Sequence, residues 1–405
     1  MNKIHLSKGG DNKQTKIKKP TVALVHDFLL YCGGAEKVLM ELKRMYRDSP
    51  VYTLLKNDSI DDQTGSDERS RFKANCFNLM KFDDVKTSFL QKFPGFFRRR
   101  HRWLLPFMST AIETFDLRNY DLVISSSSAF AKGIVVKSRV KHICYMHAPM
   151  RYVWDWNREY LEEKKLKGRT KLFTRLFLNY LRMWDRISAE RPDYLIANSC
   201  YTAERIRKYY RRKAKVIYPP VEVEKFIPTK ENAGYFLTVS RLVPYKRVDL
   251  LVQVFQKLKL PLVIVGDGPD LKKIQRMVSG DKLIKVLGWV DDDKKIKLFE
   301  KARAFITATE DDFNITAVEA MAAGKPVIAL NKGGVAETVV EGVTGEFFKE
   351  ATMELIADAI GRFKQNEKKY DYLKIRKQAE KFNRSQFVKK MKEVVTEVLE
   401  GDSVC

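Results

Sequence analysis

Two acids, Asp311 and Glu319, stand eight residues apart in Glu310-Asp-Asp-Phe-Asn-Ile-Thr-Ala-Val-Glu-Ala-Met-Ala-Ala-Gly324-Lys-Pro-Val-Ile-Ala329. The stretch reads as an acidic loop, then a short helix stopped at Gly324, where positive φ is wanted. An apolar run, Val327–Leu330, follows as a buried parallel strand. Asp311 falls on the loop and Glu319 in the first turns of the helix, with the backbone N–H groups of the helix N-terminus between them. Anions are favoured there, and carboxylates bind hydroxyls, so the pattern suits a nucleotide sugar. An ordinary loop–helix–strand unit with solvated acids carries the same signature. Arg241 and Lys246 flank a second strand-to-helix turn, after Tyr235–Ser240. They would meet a diphosphate there, the arginine by bidentate geometry and the lysine as a point charge; two solvated surface cations are the alternative. His147 follows the strand Val140–Met146, at the strand end where open α/β sheets bind ligands, or is a hydrogen-bonded structural residue. Gly33-Gly34, after the strand Thr21–His26, permits close approach of a phosphate, or forms a tight turn without ligand. Neither GxGxxG nor a Walker A pattern occurs.

The elements that must position these groups alternate strand and helix along the chain. The alternation breaks once, at Pro219-Pro220, a stiff pair that marks a hinge. Two parallel, doubly wound α/β sheets with a cleft between them follow. At 405 residues the chain is long enough for two domains, and an apolar fraction of 44% is that of a globular protein.

The charge is the outlier. Seventy-six basic against 51 acidic residues give +25, a field that attracts nucleic acid or anionic lipid. RNP, KH and zinc patterns are missing, and the basic runs lie among apolar residues, so no nucleic-acid partner is expected. Residues 89–108 hold six aromatics and five Lys/Arg with no acid. Lys164 to Arg186 carries eight basic residues and one acid around apolar residues at helical spacing. Both suit an anionic membrane surface; in 89–108 the apolar residues are too dense for a soluble face, whereas the second stretch could equally be a core-facing helix with a solvated basic side. No run of 18 apolar residues occurs, so no transmembrane helix is expected. Residues 1–20, with six lysines and one aspartate, are no signal peptide and read as a disordered basic tail. Five scattered cysteines without CxxC spacing read as reduced, buried thiols of a cytoplasmic protein.

Several motifs coincide with one family. Ser240-Arg241-Leu-Val-Pro-Tyr-Lys246, Gly266-Asp-Gly268-Pro, Gly288-Trp-Val290 and Asp311…Glu319-Ala-Met-Ala-Ala-Gly324-Lys-Pro resemble the retaining glycosyltransferases of family 4, with the two-Rossmann GT-B fold. Gly33-Gly34-Ala-Glu-Lys and Tyr145-Met-His147-Ala-Pro-Met-Arg151-Tyr-Val-Trp154-Asp155 are similar to the O-antigen mannosyltransferase branch. The resemblance implies an acceptor-binding domain over 21–218 joined by a C-terminal helix at about 385–405, and a nucleotide-sugar domain over 219–384. It implies that Arg241 and Lys246 bind the donor diphosphate, with Ser240 in the same motif. Glu319 would hold the ribose, Asp311 the sugar hydroxyls, and the Phe313-Asn314-Ile315 backbone the sugar and phosphate pocket. His147 would face the sugar from the other half, Gly33-Gly34 would close over the phosphates, and Val290 would border the base. The implied reaction moves a hexose, mannose from GDP-mannose, onto a saccharide or lipid-linked glycan in cell-surface polysaccharide or glycolipid synthesis, without metal or other cofactor. A UDP-hexose donor, or a non-catalytic GT-B relative, is the alternative. The implied place is the cytoplasm, peripherally at the inner face of the plasma membrane. Two positions depart from the family: Asp311 replaces a glutamate and Asn314 a glycine. The shorter Asp311 needs a loop shift or help from Glu310 or Asp312, whereas Asn314 tolerates positive φ better than most residues.

Overall fold

The computed structural model describes residues 20–31, 33–57, 84–157 and 168–401, the Arg99 side chain excepted. The basic tail at 1–19, the polar loop from Asp58 to Arg69, residues 164–167 of the basic stretch, and Cys32, Cys76 and Cys405 lie outside these residues.

Apolar runs such as Val22-Ala-Leu-Val25 are buried on both faces, as parallel strands between helical layers must be. They build two sheets. The first runs β3-β2-β1-β4-β5-β6-β7, with β1 Val22–Leu29, β2 Val51–Lys56, β3 Val85–Thr87, β4 Leu122–Ser127, β5 Lys141–Met146, β6 Tyr194–Ala197 and β7 Lys215–Val216. The second runs β10-β9-β8-β11-β12-β13, with β8 Phe236–Val239, β9 Leu262–Val265, β10 Ile284–Gly288, β11 Ala304–Thr307, β12 Val327–Leu330 and β13 Gly345–Phe348. Among the described residues every strand pairing in both is parallel. Strand order reverses between β1 and β4 and again between β8 and β11. Those are the switch points at which such sheets take ligands.

Alternation along β1 sends Val22 and Leu24 to one face and Ala23 and Val25 to the other. The first face is covered by the helix Gly34–Met45, through Val38, Leu39 and Leu42, and by the C-terminal helix Arg384–Glu400, through Phe387, Met391 and Val394. The last helix of the chain therefore completes the core of the first domain. The chain crosses between domains at Pro219-Pro220 and again at Asn383. The two crossings run side by side, Val221 bridging Asn383 and donating its N–H to the Phe382 carbonyl at 3.1 Å.

The cysteines need one correction. Cys144 is fully buried, and burial pushes its thiol up to about 12, but Cys200 is exposed at the start of the helix Cys200–Tyr210. An apolar sequence neighbourhood did not bury it, because the first turn of that helix faces the gap between domains.

Candidate functional site

The two switch points face each other across a cleft of about 1570 Å³, and every site residue expected from the sequence borders it. Gly33, Gly34 and His147 come from the first domain; Ser240, Arg241, Lys246, Val290, Asp311, Phe313, Asn314, Ile315 and Glu319 come from the second.

The acidic loop leads from β11 into the helix Ile315–Ala322. Asn314 caps that helix in the left-handed region, φ +68, and its Oδ1 accepts the Ala317 N–H at 3.1 Å and the Thr316 hydroxyl at 2.8 Å. The asparagine thus supplies the backbone freedom of the family's glycine and adds a side-chain cap. Gly324, φ +75, follows the helix end. Phe313 turns its ring inward against Tyr218 and Phe382, which leaves only its edge and backbone to the cleft. Gly34 meets Ile315 so closely that a Cβ there would lie 3.0 Å from Ile315 Cδ1. A side chain at position 34 would have to displace the tip of Ile315 from the opposite domain.

The cations are distributed unevenly. Lys246 Nζ makes a bidentate pair with Asp311, 2.6 Å to each carboxylate oxygen. Arg241 is exposed and stacks on the Tyr31 ring of the opposite domain, 4.8 Å from its centroid. Glu319 is buried, accepting from Lys37 at 2.7 Å and standing 3.5 Å from Lys295. Burial opposes ionisation of Glu319, yet Lys295 and Lys37 overcome it and hold its pKa below the usual carboxylate value. Burial likewise works against charge on Lys295, and Glu319 with Asp292 raises its pKa regardless. Glu319 is therefore an anion fixed between two lysines, one from each domain.

The neighbours of Asp311 are committed elsewhere. Glu310 accepts the Tyr201 hydroxyl at 2.6 Å. Asp312 takes Arg151 at 2.6 Å and Arg205 at 2.5 Å. Burial disfavours both guanidinium charges, and Asp312 reverses that, raising both pKa values. Both acids that the sequence offers as help for the shortened Asp311 are tied across the domain interface by these bonds. The N-terminus of the helix Cys200–Tyr210 adds another tie, the Cys200 and Tyr201 N–H groups donating to Glu337 at 2.8 and 2.7 Å.

His147 is nearly buried at the end of β5, its Nε2 2.8 Å from Ser126 Oγ. Burial first, and His26 second, push its pKa down to about 3, so the ring is neutral at physiological pH. It can hydrogen-bond to a ligand but cannot act there as a cation. Asp27, at the end of β1, accepts four backbone N–H groups from Ser128 to Ala131 at 2.5–2.9 Å. That clamp fixes the loop after β4, which forms the floor of the first switch point.

Sequence reasoning missed Lys37, Lys295, Asp27, Ser126 and the Arg205–Asp312 pair. Lys37 follows the glycine loop by only three residues and could have been found there. Nothing local marks the contacts of the others: Lys295 has a partner nearby in Asp292, but Glu319 lies 24 residues on, and Asp27 and Arg205 meet segments about 100 residues away.

Two parallel sheets, switch point to switch point, with cations on one side and a neutral histidine on the other, define the GT-B glycosyltransferase architecture. Residues 32–225 match the model of Glycosyltransferase Family 4 and residues 221–382 that of Glycosyl transferases group 1. Together they span nearly the whole of both domains, and the chain is of the GT-B glycosyltransferase family 4 type. An uncharacterized glycosyltransferase, MJ1178, of Methanocaldococcus jannaschii is 29% identical over 43% of this chain and 53% of its own length. The chain spans about half the length of such curated relatives. The alpha-1,3/1,6-mannosyltransferase ALG2 of Dictyostelium discoideum is 22% identical over 61% of this chain and 68% of its own length. In fold the chain is similar to Anabaena Alr3699/HepE in complex with UDP-glucose, with a TM-score of 0.66, 18% identity, and coverage of 93% of this chain and 99% of that one.

Proposed function

We propose that this chain transfers a hexose, with retention, from a nucleoside diphosphate sugar to a glycan or lipid-linked glycan acceptor. The observation that supports this most is the meeting, in one cleft, of Arg241 and the Lys246–Asp311 pair with the neutral His147 of the opposite domain. The donor diphosphate displaces Asp311 from Lys246 and engages Arg241. The two cations then neutralise charge developing on the leaving diphosphate. The anomeric bond opens through an oxocarbenium-like state, and the acceptor hydroxyl attacks from the leaving-group face. Its proton passes to the departing phosphate oxygen. Asp311, released from Lys246, is placed to accept sugar hydroxyls. Closure of the domains around Pro219-Pro220 excludes water, which would otherwise hydrolyse the donor.

The proposed donor is GDP-mannose, in keeping with the mannosyltransferase among the relatives. A UDP-hexose is the second reading, favoured by the fold neighbour that holds UDP-glucose. A thermal-shift panel of GDP, UDP and their sugars separates the two, since a ligand that binds only the folded state raises its stability. Release of nucleoside diphosphate with transfer to a glycan acceptor tests the activity itself. The reading fails if no nucleoside diphosphate shifts the melting temperature.

The acceptor side of the proposal draws on the helix Gly168–Ser188. Leu172, Leu176, Tyr180, Met183 and Ile187 recur at helical spacing on its outer face, all more than half exposed, with Phe173 beside them at 71%. Arg169, Lys171 and Arg175 accompany them. The helix's one acid, Asp185, points inward and takes Lys132, Trp154 and Tyr210 at 2.5–2.7 Å. Phe96, Trp103 and Phe107 are exposed on the segment 95–107, which packs on the same core cluster through Leu104 and Phe97. An apolar stripe flanked by cations suits an anionic bilayer surface carrying a lipid-linked acceptor. No helix of the described residues is long and apolar enough to cross a membrane.

A further inference from the structure

A file of polar side chains crosses the ends of β1, β4 and β5 and runs from His147 to the glycine loop, hydrogen-bonded from His147 through Ser126 to His26 and continued by a charge contact to Glu36. Ser126 Oγ lies 2.8 Å from His147 Nε2 and 3.0 Å from His26 Nδ1. His26 Nε2 faces Glu36 Oε1 at 3.6 Å, and Glu36 Oε2 accepts the Gly33 backbone N–H at 2.8 Å. All four side chains are buried or nearly so. Parallel pairing of β1 with β4 sets His26 directly beside Ser126.

A hydroxyl has a single proton, so this file has a direction. Glu36 Oε1 faces His26 Nε2, so a His26 ring with a single proton carries it on Nε2, on the carboxylate side, and leaves Nδ1 as an acceptor. Ser126 then donates to His26 Nδ1. Its proton committed, the Ser126 oxygen accepts from His147 Nε2–H. His147 Nδ1 is left bare of a proton on a ring that lines the cleft.

We propose that Glu36, His26 and Ser126 are positioning residues that hold His147 as its Nε2–H tautomer, so that its Nδ1 accepts a hydrogen bond from a sugar hydroxyl in the cleft. This rests on the reading of the cleft as a nucleotide-sugar site. The depressed pKa of His147 keeps the ring neutral and the acceptor available. The same file ties the histidine to the loop that approaches Ile315, so the sugar contact and domain closure share one rigid support.

Long-range ¹H–¹⁵N correlation on histidine-labelled, ligand-free enzyme reads the tautomer directly. The His147 signals are assigned by their loss in His147→Gln. A protonated Nε2 with a bare Nδ1 is expected in the wild-type chain. Ser126→Ala should mix the tautomers and lower kcat/KM roughly tenfold, the loss of one neutral hydrogen bond, with nucleoside diphosphate affinity unchanged. Ser126→Thr, which keeps the hydroxyl, should restore both. An Nδ1–H tautomer in the wild type, or an unchanged tautomer in Ser126→Ala, overturns the proposal. The wild-type spectrum needs neither substrate nor a variant beyond the one for assignment, so this outcome is independent of whether any nucleoside diphosphate binds.

Discussion

Lys246 Nζ stands 2.6 Å from both carboxylate oxygens of Asp311, which makes the side chain assigned to the diphosphate and the one assigned to the sugar each other's partner in the free protein. Binding of donor must break this pair, and the two variants should therefore behave differently. Lys246→Ala removes a phosphate cation and leaves Asp311 as a repelling anion beside the diphosphate. Turnover should fall by about 10²–10³, as when one stabilising donor is lost from a charged transition state, and the GDP or UDP thermal shift should disappear. Asp311→Asn removes the internal competitor for Lys246. Nucleoside diphosphate should bind as well or more tightly, measured by calorimetry, while transfer slows. Weaker binding in Asp311→Asn would show that Lys246 does not face the phosphates.

A second prediction concerns closure. Asp312, in the domain bearing the acidic loop, is held by Arg151 and Arg205 of the other domain. Asp312→Ala leaves Arg151 without its carboxylate and Arg205 with Asp155 alone, and the closed arrangement should lose on the order of 2 kcal/mol, the worth of hydrogen bonds to charged groups. The radius of gyration from small-angle scattering should rise, and KM should rise with it, because donor binding must then supply the closing energy. An unchanged scattering profile and KM would assign the pairs to local structure alone.

Much of this arrangement was legible in the sequence, and the reason is physical. Elements formed by local rules left local marks: the apolar runs of the parallel strands, the Gly324 stop, and the cations placed by a strand-to-helix turn. Asn314 was readable as a tolerant substitute for glycine, and its φ of +68 has the expected sign. What the sequence did not disclose are pairings made only when distant segments meet. Lys37 is 282 residues from Glu319, and Arg205 is 107 from Asp312. Asp311 was read as free to meet a sugar because nothing in its neighbourhood reveals Lys246 as its partner. Cys200 was read as buried because composition reports apolar neighbours in sequence, not in space.

The third prediction tests the proposed contact with an anionic membrane. The six residues Leu172, Phe173, Leu176, Tyr180, Met183 and Ile187 expose an apolar stripe to water while Arg169, Lys171 and Arg175 sit on the same helix. Sedimentation with liposomes containing anionic lipid should bring the protein down, and raised salt should weaken that binding as the Debye length shortens. Phe173→Ser with Leu176→Ser should reduce it several-fold without lowering the melting temperature, because both side chains lie outside the core. Equal binding to neutral liposomes would remove the electrostatic part, and unaltered binding by the double variant would remove this helix from the contact.

The last prediction concerns acid stability. His142 is fully buried on β5, with Nε2 2.8 Å from Ser125 Oγ and Nδ1 unpaired. Burial, then Arg212 and Arg191, lower its pKa to about 3. His147 is depressed to the same value. Unfolded, each ring takes a proton below about pH 6.5; folded, each stays neutral until about pH 3. Between those values the unfolded chain binds more protons, so stability falls as pH is lowered, by up to about 1.4 kcal/mol per pH unit for each ring. Above pH 6.5 neither ring contributes a slope. His142→Gln removes one of the two titrations at a position that does not line the cleft. Urea denaturation at intervals from pH 7 to pH 4 should give a shallower acid limb for this variant than for the wild-type chain, with nucleoside diphosphate binding unchanged at pH 7. Parallel limbs would mean that His142 already carries its proton in the folded protein.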